Sequence, residues 1–392
     1  MFIRNLFLLL VALLLTQTGS TNESSDPDQL LKKVLTEIID QNIDQALIDI
    51  NSLIEIAPNF TVAKIIKSDL LASKSKVINQ FGYNFSGKND DLDHLKLELQ
   101  KRIQLTSLEK LKTINSKYKF LLDSSVPYFL FVDLPKSRLL VFRNKDRKLE
   151  HISDHYVSIG KKGYGKKIEG DQRTPVGVYF LQKKIQNRLP DKYGDGAYSI
   201  NYPNIRDKMN GNTGYGIWIH GVPKTTFSRP PYSSDGCIVM TNQDLKKIEH
   251  ILNSPNTPIV LSDVSIDDIL MKETIALSSD IDKFKKQIES WRITWEKGNF
   301  DDYIKFYSKR AVYNLKEYES WTKFKLNVFS SSMNIEVKIN NMSFFEHPGS
   351  DLILVKFNQH YKSNLIESEM TKQQLWTKEN NEWKILSEGK FI

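Results

Sequence analysis

The stretch YGIWIHGVPKTTFSRPPYSSDGCIVM (Tyr215–Met240) contains a strand-like run ending on a histidine, a turn-rich loop, and a second apolar run entered through Asp-Gly-Cys. Cys237 is the only cysteine in the chain of 392 residues. With no internal disulfide open to it, it is a small buried hydrophobe, a stray thiol or a nucleophile. A nucleophile attacks as the thiolate and needs a base or positive potential beside it. His220 ends the run YGIWIH and is followed by Gly221. A strand terminus holds an imidazole on rigid backbone while leaving it open to a cleft. The loop after Gly221 is long enough to return Cys237 beside it, and Asp235-Gly236 permits a sharp turn. Backbone N–H groups of Gly236 and Cys237 then point at a developing oxyanion. Beyond the cysteine, Thr241 or Asn242 caps a short helix. Spacing alone leaves the catalytic and the structural cysteine equally open.

Working outward, residues 127–265 read as a mostly β domain. YFLFVDL, SRLLVFRN, HYVSIG (155–160), VGVYFLQ (176–182) and TPIVLSD are short runs rich in aromatic and β-branched residues, separated by turns. DLKKIEHILNS is the one plausible helix near the end of this segment. Before it, residues 26–120 read as helical. Asp26-Pro27 opens the first helix, Leu30 to Ile39 give one apolar face, and further faces follow at 46–54 and 60–70. Two short helices broken at APNF resemble one tetratricopeptide-like hairpin, without a repeat at a fixed period. Such a unit buries little by itself, so it packs on its neighbours or forms a homodimer with a second copy of the chain. From residue 275 to 392 an amphipathic helical pair around Gly298 precedes alternating strands, an α+β pattern.

The first residues have the layout of a secretory signal. Arg4 precedes the apolar run Leu6–Leu15, and small polar residues follow, with a cut expected after Ser20. The run is short for a membrane anchor, and no cysteine follows it to carry a lipid. The protein is therefore expected to be exported to the periplasm and soluble, with no integral span after cleavage of residues 1–20. A single thiol kept in an oxidising compartment calls for a reason. The net charge of +8 is dispersed among alternating lysines and acids, which points away from nucleic acid. His151 and His155 have a helical metal spacing but sit in a strand or turn, so they read as solvated, with no metal site. KKGYGKKIEGD lacks the strand–loop–helix context of a phosphate loop and reads as a mobile hairpin near the cleft mouth. No cofactor is implied.

Ile-His-Gly followed by Ser-Asp-Gly-Cys-Ile-Val-Met resembles the HG…S-x-G-C-x-R signature of the YkuD-type L,D-transpeptidases. EGDQRTPVG (169–177) resembles a second hallmark of that family, and the likeness spans most of 127–263. It implies a β-sandwich-like domain in which Cys237 is the nucleophile, His220 its base, and the Gly221 carbonyl the group that orients the imidazole. The backbone of Asp235, Gly236 and Cys237 would form the oxyanion hole. The substrate would be a peptidoglycan stem peptide, held as a Cys237 thioester. An amine then resolves it to a cross-link, or water to a shortened peptide.

Val239 stands where the family usually has Arg, and Asp235 where it often has His, as in its YafK-like branch. Arg229 or Arg173 would then meet a substrate carboxylate, or simply brace a turn. Ser234 and Tyr215 are the other expected substrate contacts, and Trp218 lines the cleft or packs beneath it. The last domain resembles the cone-shaped nuclear transport factor/SnoaL type. The three parts together look like exported L,D-carboxypeptidases, so hydrolysis rivals transpeptidation. A wall-binding scaffold without catalysis is the alternative from another class.

Overall fold

The computed structural model describes residues 26–104, 120–186, 188–271, 277–313, 318–331 and 334–391. The expected leader, the end of the helical stretch (105–119) and the first residues after 275 lie outside them. Helix α1 (Pro27–Ile39) starts at Asp26, whose carboxylate accepts from the N–H groups of Asp28 and Gln29. Its apolar face packs with those of α2 (Ile43–Ile56) and α3 (Thr61–Ser73) around Phe60. A fourth helix, α4 (Asn89–Ile103), lies within the stretch read as helical, but it shows no clean apolar face because its buried side carries Glu98 and Arg102 beside Leu99 and Ile103. The helical reading to residue 120 also needs correction. Phe120 and Leu121 form a short strand, β1, antiparallel to Phe345 and Phe344 of the C-terminal sheet. Two residues are too few to show a period.

The strands of the central β domain are β2 (Tyr128–Asp133), β3 (Arg138–Lys145), β4 (Lys148–Tyr156), β5 (Ile159–Gly160), β6 (Gly177–Lys184), β7 (Ala197–Ile200), β8 (Trp218–His220), β9 (Tyr232–Ser234), β10 (Ile238–Val239) and β11 (Pro258–Ser262). Eight of them form one sheet in the order β10-β8-β7-β6-β11-β2-β3-β4, and β5 pairs with β9. One face of the sheet packs Leu130, Val132, Ile219, Ile238 and Ile259 against Leu245 and Ile248. On the other face, Phe129, Phe131 and Phe180 meet Phe345 and Phe391 of the C-terminal domain, with ring centroids of Phe180 and Phe391 4.6 Å apart. Burial on both faces explains why YFLFV is continuously apolar rather than alternating. HYVSIG, expected as one strand, is divided: Tyr156 ends β4 and Ile159 begins β5. The polar β4 is the sheet's edge, where charged residues suit exposure.

In the C-terminal domain a helix at Leu277–Glu296 stops at Gly298, whose φ of 65° suits glycine, and a second runs over Phe300–Ile304. Six strands form its sheet, with β1 at one edge and Tyr307–Tyr313 at the other. Strands Glu367–Glu379 and Glu382–Lys390 join through Asn380-Asn381, both at positive φ, as a two-residue hairpin turn requires. Among the described residues no helix is long and apolar enough to cross a membrane.

Candidate active site

β8 and β10 run parallel, with Ile219 beside Ile238 and His220 beside Val239. Ile219 and Ile238 point into the core, so alternation puts His220 and Cys237 together on the opposite face. Cys237 is partly accessible, whereas its neighbours Gly236 and Ile238 are buried. Its thiol donates to the Gly216 carbonyl at 3.5 Å. Burial pushes the thiol up to about 11, against the opposing pull of the Trp218 backbone and the charges of Lys192 and Arg229.

His220 Nδ1 lies 2.7 Å from the Gly221 carbonyl oxygen. A carbonyl only accepts, so the proton sits on Nδ1 and Nε2 is the basic nitrogen. Burial, helped by the charges of Arg229 and Lys192 and opposed by the Gly221 hydrogen bond, lowers the imidazole to about 4. At neutral pH the resting pair is thiol and imidazole, both uncharged. The two cations favour thiolate and disfavour imidazolium.

Gly221 and Gly236 are required by close approach. A Cβ on Gly221 would lie 2.0 Å from Asn242 Oδ1. That amide accepts from the N–H of Asp195 and Val222 and donates to the Val222 carbonyl, tying two active-site loops. Gly236 has φ 121°, and a Cβ there would lie 2.8 Å from the Arg173 carbonyl. Gly236→Ala should therefore move the turn that carries Cys237 and lower kcat/KM by about 100-fold. Steady-state assays of a folded variant check this, and a wild-type rate would contradict it.

The Gly236 N–H donates to Ser234 Oγ, which leaves the N–H groups of Asp235 and Cys237 without an acceptor among the described residues. Ser234, expected to touch substrate, is buried and donates to the Cys237 carbonyl at 2.6 Å, so it braces the turn. Thr174 also holds this turn, donating to the Gly236 carbonyl at 3.1 Å and accepting from the Gly160 N–H.

Arg229 donates to the Lys192 carbonyl at 2.9 Å, and its charge acts on both Cys237 and His220. The Arg173 side chain turns away to the Tyr164 carbonyl, beside an open groove of about 800 Å³ that Lys161, Lys162 and His94 also line. Tyr215 is 77% exposed. Trp218 packs on Tyr193 at 5.0 Å, and the same tyrosine meets the His220 ring edge-on at 5.0 Å. Lys192 and Tyr193 were hidden in sequence by the turn-rich stretch LPDKYGDG, and Asn242 was visible only as a helix cap.

Two further readings are corrected here. His155 is buried and pairs with Asp244 at 3.1 Å rather than being solvated. KKGYGKKIEGD is fixed around Asp171, which pairs with buried Lys166 and accepts from the N–H groups of Lys167 and Ile168. Among the described residues no group of His, Cys, Asp and Glu is arranged to hold a metal.

Residues 127–261 match the L,D-transpeptidase catalytic domain model, YkuD, and residues 283–389 match the Cds6 C-terminal NTF2-like domain. "Putative L,D-transpeptidase YafK" of Escherichia coli K12 is 32% identical over 117 residues, covering 26% of this chain. The match spans 43% of that protein, so the chain covers less than half of its curated relative. Bdellovibrio bacteriovorus Bd1075 is similar at 29% identity and a TM-score of 0.57, over 71% of this chain and 98% of that one. The helical cell shape determining protein Pgp2 of Campylobacter jejuni, as a point variant, shares the fold at 23% identity and a TM-score of 0.61, over 74% and 98%. These matches place an L,D-transpeptidase-like catalytic domain over residues 127–261. More particularly, the chain carries a region similar to the YkuD catalytic domain, followed by one similar to an NTF2-like C-terminal domain.

Proposed function

We propose that this protein is exported and acts on peptidoglycan stem peptides through a thioester on Cys237. The observation that carries the reading is the shared sheet face of Cys237 and His220, with the imidazole proton held on Nδ1 by Gly221. In the first half-reaction His220 Nε2 takes the thiol proton as sulfur bonds to the carbonyl carbon of the stem peptide. The oxyanion is met by the N–H groups of Asp235 and Cys237. The amide C–N bond then breaks, and the departing amine takes the proton from His220.

An acceptor amine resolving the thioester gives a cross-link, the L,D-transpeptidase reaction. Water gives a shortened peptide, the L,D-carboxypeptidase reaction. The likeness to the shape-determining Pgp2 covers 74% of this chain and 98% of that one, a fold shared beyond residues 127–261 within which either reaction can run. Digesting purified disaccharide–tetrapeptide and weighing the products separates them. Tripeptide products without dimers are expected if water is the acceptor, and dimers would establish transfer. Neither product would overturn the enzymatic reading and leave a wall-binding scaffold.

A further inference from the structure

The loop from Gly221 to Pro231 carries Arg229, whose guanidinium donates to the Lys192 carbonyl and whose charge acts on Cys237 and His220, yet its middle is anchored in the N-terminal helices. Phe227 packs on Phe60, the rings tilted with centroids 4.6 Å apart, and lies partly buried against the helical core. Ser228 Oγ donates to Glu98 of α4, and Asn59 Nδ2 donates to the Lys224 carbonyl at 3.4 Å. The Arg102 guanidinium lies 4.7 Å from the Phe60 ring centroid, 4.2 Å from that of Tyr156 and 5.4 Å from that of Phe227. Its Nε donates to Glu98 at 3.0 Å, and its Nη1 pairs with Asp28 of α1. Asp28 also accepts from Arg138, which pairs with Asp154 at 2.7 Å. Tyr156 Oη closes the array by donating to the Arg229 carbonyl at 2.8 Å.

Glu98, Arg102 and Arg138 are each at most 2% exposed. Burying so many charges is a costly way to attach a helical region, because apolar residues would do so as well or better. What a buried, directional array adds is a fixed position for the groups it holds. Here those groups are the backbone on both sides of Arg229.

We propose that Arg102 and Glu98 of α4 are positioning residues, holding Phe227–Ser228 and thereby setting the Arg229 guanidinium against Cys237 and His220. The N-terminal helices are then a working part of the active site rather than an appended module. The inference rests on the catalytic reading of Cys237.

Three variants of the full chain test it on disaccharide–tetrapeptide. Ser228→Ala, which removes only the hydroxyl to Glu98, should lower kcat about tenfold with KM nearly unchanged, and Ser228→Thr should restore it. In an Arg229→Ala background Ser228→Ala should cost less than twofold, because its effect passes through that guanidinium. Arg102→Met should lower kcat by about 100-fold. If it fails to fold, the Ser228 cycle decides alone. Wild-type kcat for Ser228→Ala, or the same loss with and without Arg229, overturns the proposal. Cys237→Ala is run beside them: turnover persisting there removes the catalytic reading itself, whatever the loop variants do.

Discussion

Cys237→Ala is expected to cut product formation from disaccharide–tetrapeptide by at least about 10⁴-fold, with the melting temperature changed by little. The thiol is partly accessible and its hydrogen bond to Gly216 is long, so removing sulfur disturbs little packing. What disappears is the atom that bonds to the carbonyl carbon. Cys237→Ser should recover little, since a hydroxyl is harder to ionise than a thiol already pushed up to about 11. The same burial makes alkylation at neutral pH slow whether the cysteine is catalytic or structural. Turnover is therefore the deciding measurement, and unchanged product yield from the alanine variant would sink the assignment to Cys237.

The pair was legible in sequence because both members stand at the ends of short apolar runs, and a lone cysteine in a chain expected to be exported invites a question. The strands around it were legible for a related reason: a sheet buried on both faces writes itself as YFLFV and PIVLS. Other parts were hidden by the same physics acting in reverse. Glu98 and Arg102 interrupt the apolar face of α4 because they are paired with each other and with Asp28, and no single-residue pattern shows a partner seventy positions away. Ser234 looked like a substrate contact from its place in the motif, yet its hydroxyl is consumed by the backbone of its own turn. His155 looked solvated because Asp244, which buries with it, lies far off in the chain. Arg229 was visible as a cation near the cysteine. Its orientation depends on contacts from three elements distant in sequence.

His220→Gln should lower kcat/KM by about 10³-fold at neutral pH, and its pH behaviour carries more information than the rate alone. The native imidazole titrates at about 4, below its ordinary 6.5, because it is buried and faces Arg229 and Lys192. The wild-type acid limb should therefore fall near pH 4, with activity flat from about pH 5 upward. A limb centred at 6.5 would mean a solvated imidazole and refute the buried base. Stability follows from the same shift. Between pH 6.5 and 4 the unfolded chain takes up a proton that the native His220 refuses, so the native state loses stability as pH falls. The loss reaches about 3 kcal/mol at pH 4 and vanishes above 6.5. Buried His347, also lowered to about 4 by burial and Arg206, adds a parallel slope. The measurement is accordingly a difference in denaturant midpoints between wild type and His220→Gln across this range. Because the glutamine variant lacks the His220 component, its stability should fall less steeply below pH 6.5. Equal slopes would show that the His220 ring gains its proton as readily in the folded protein as in the unfolded chain.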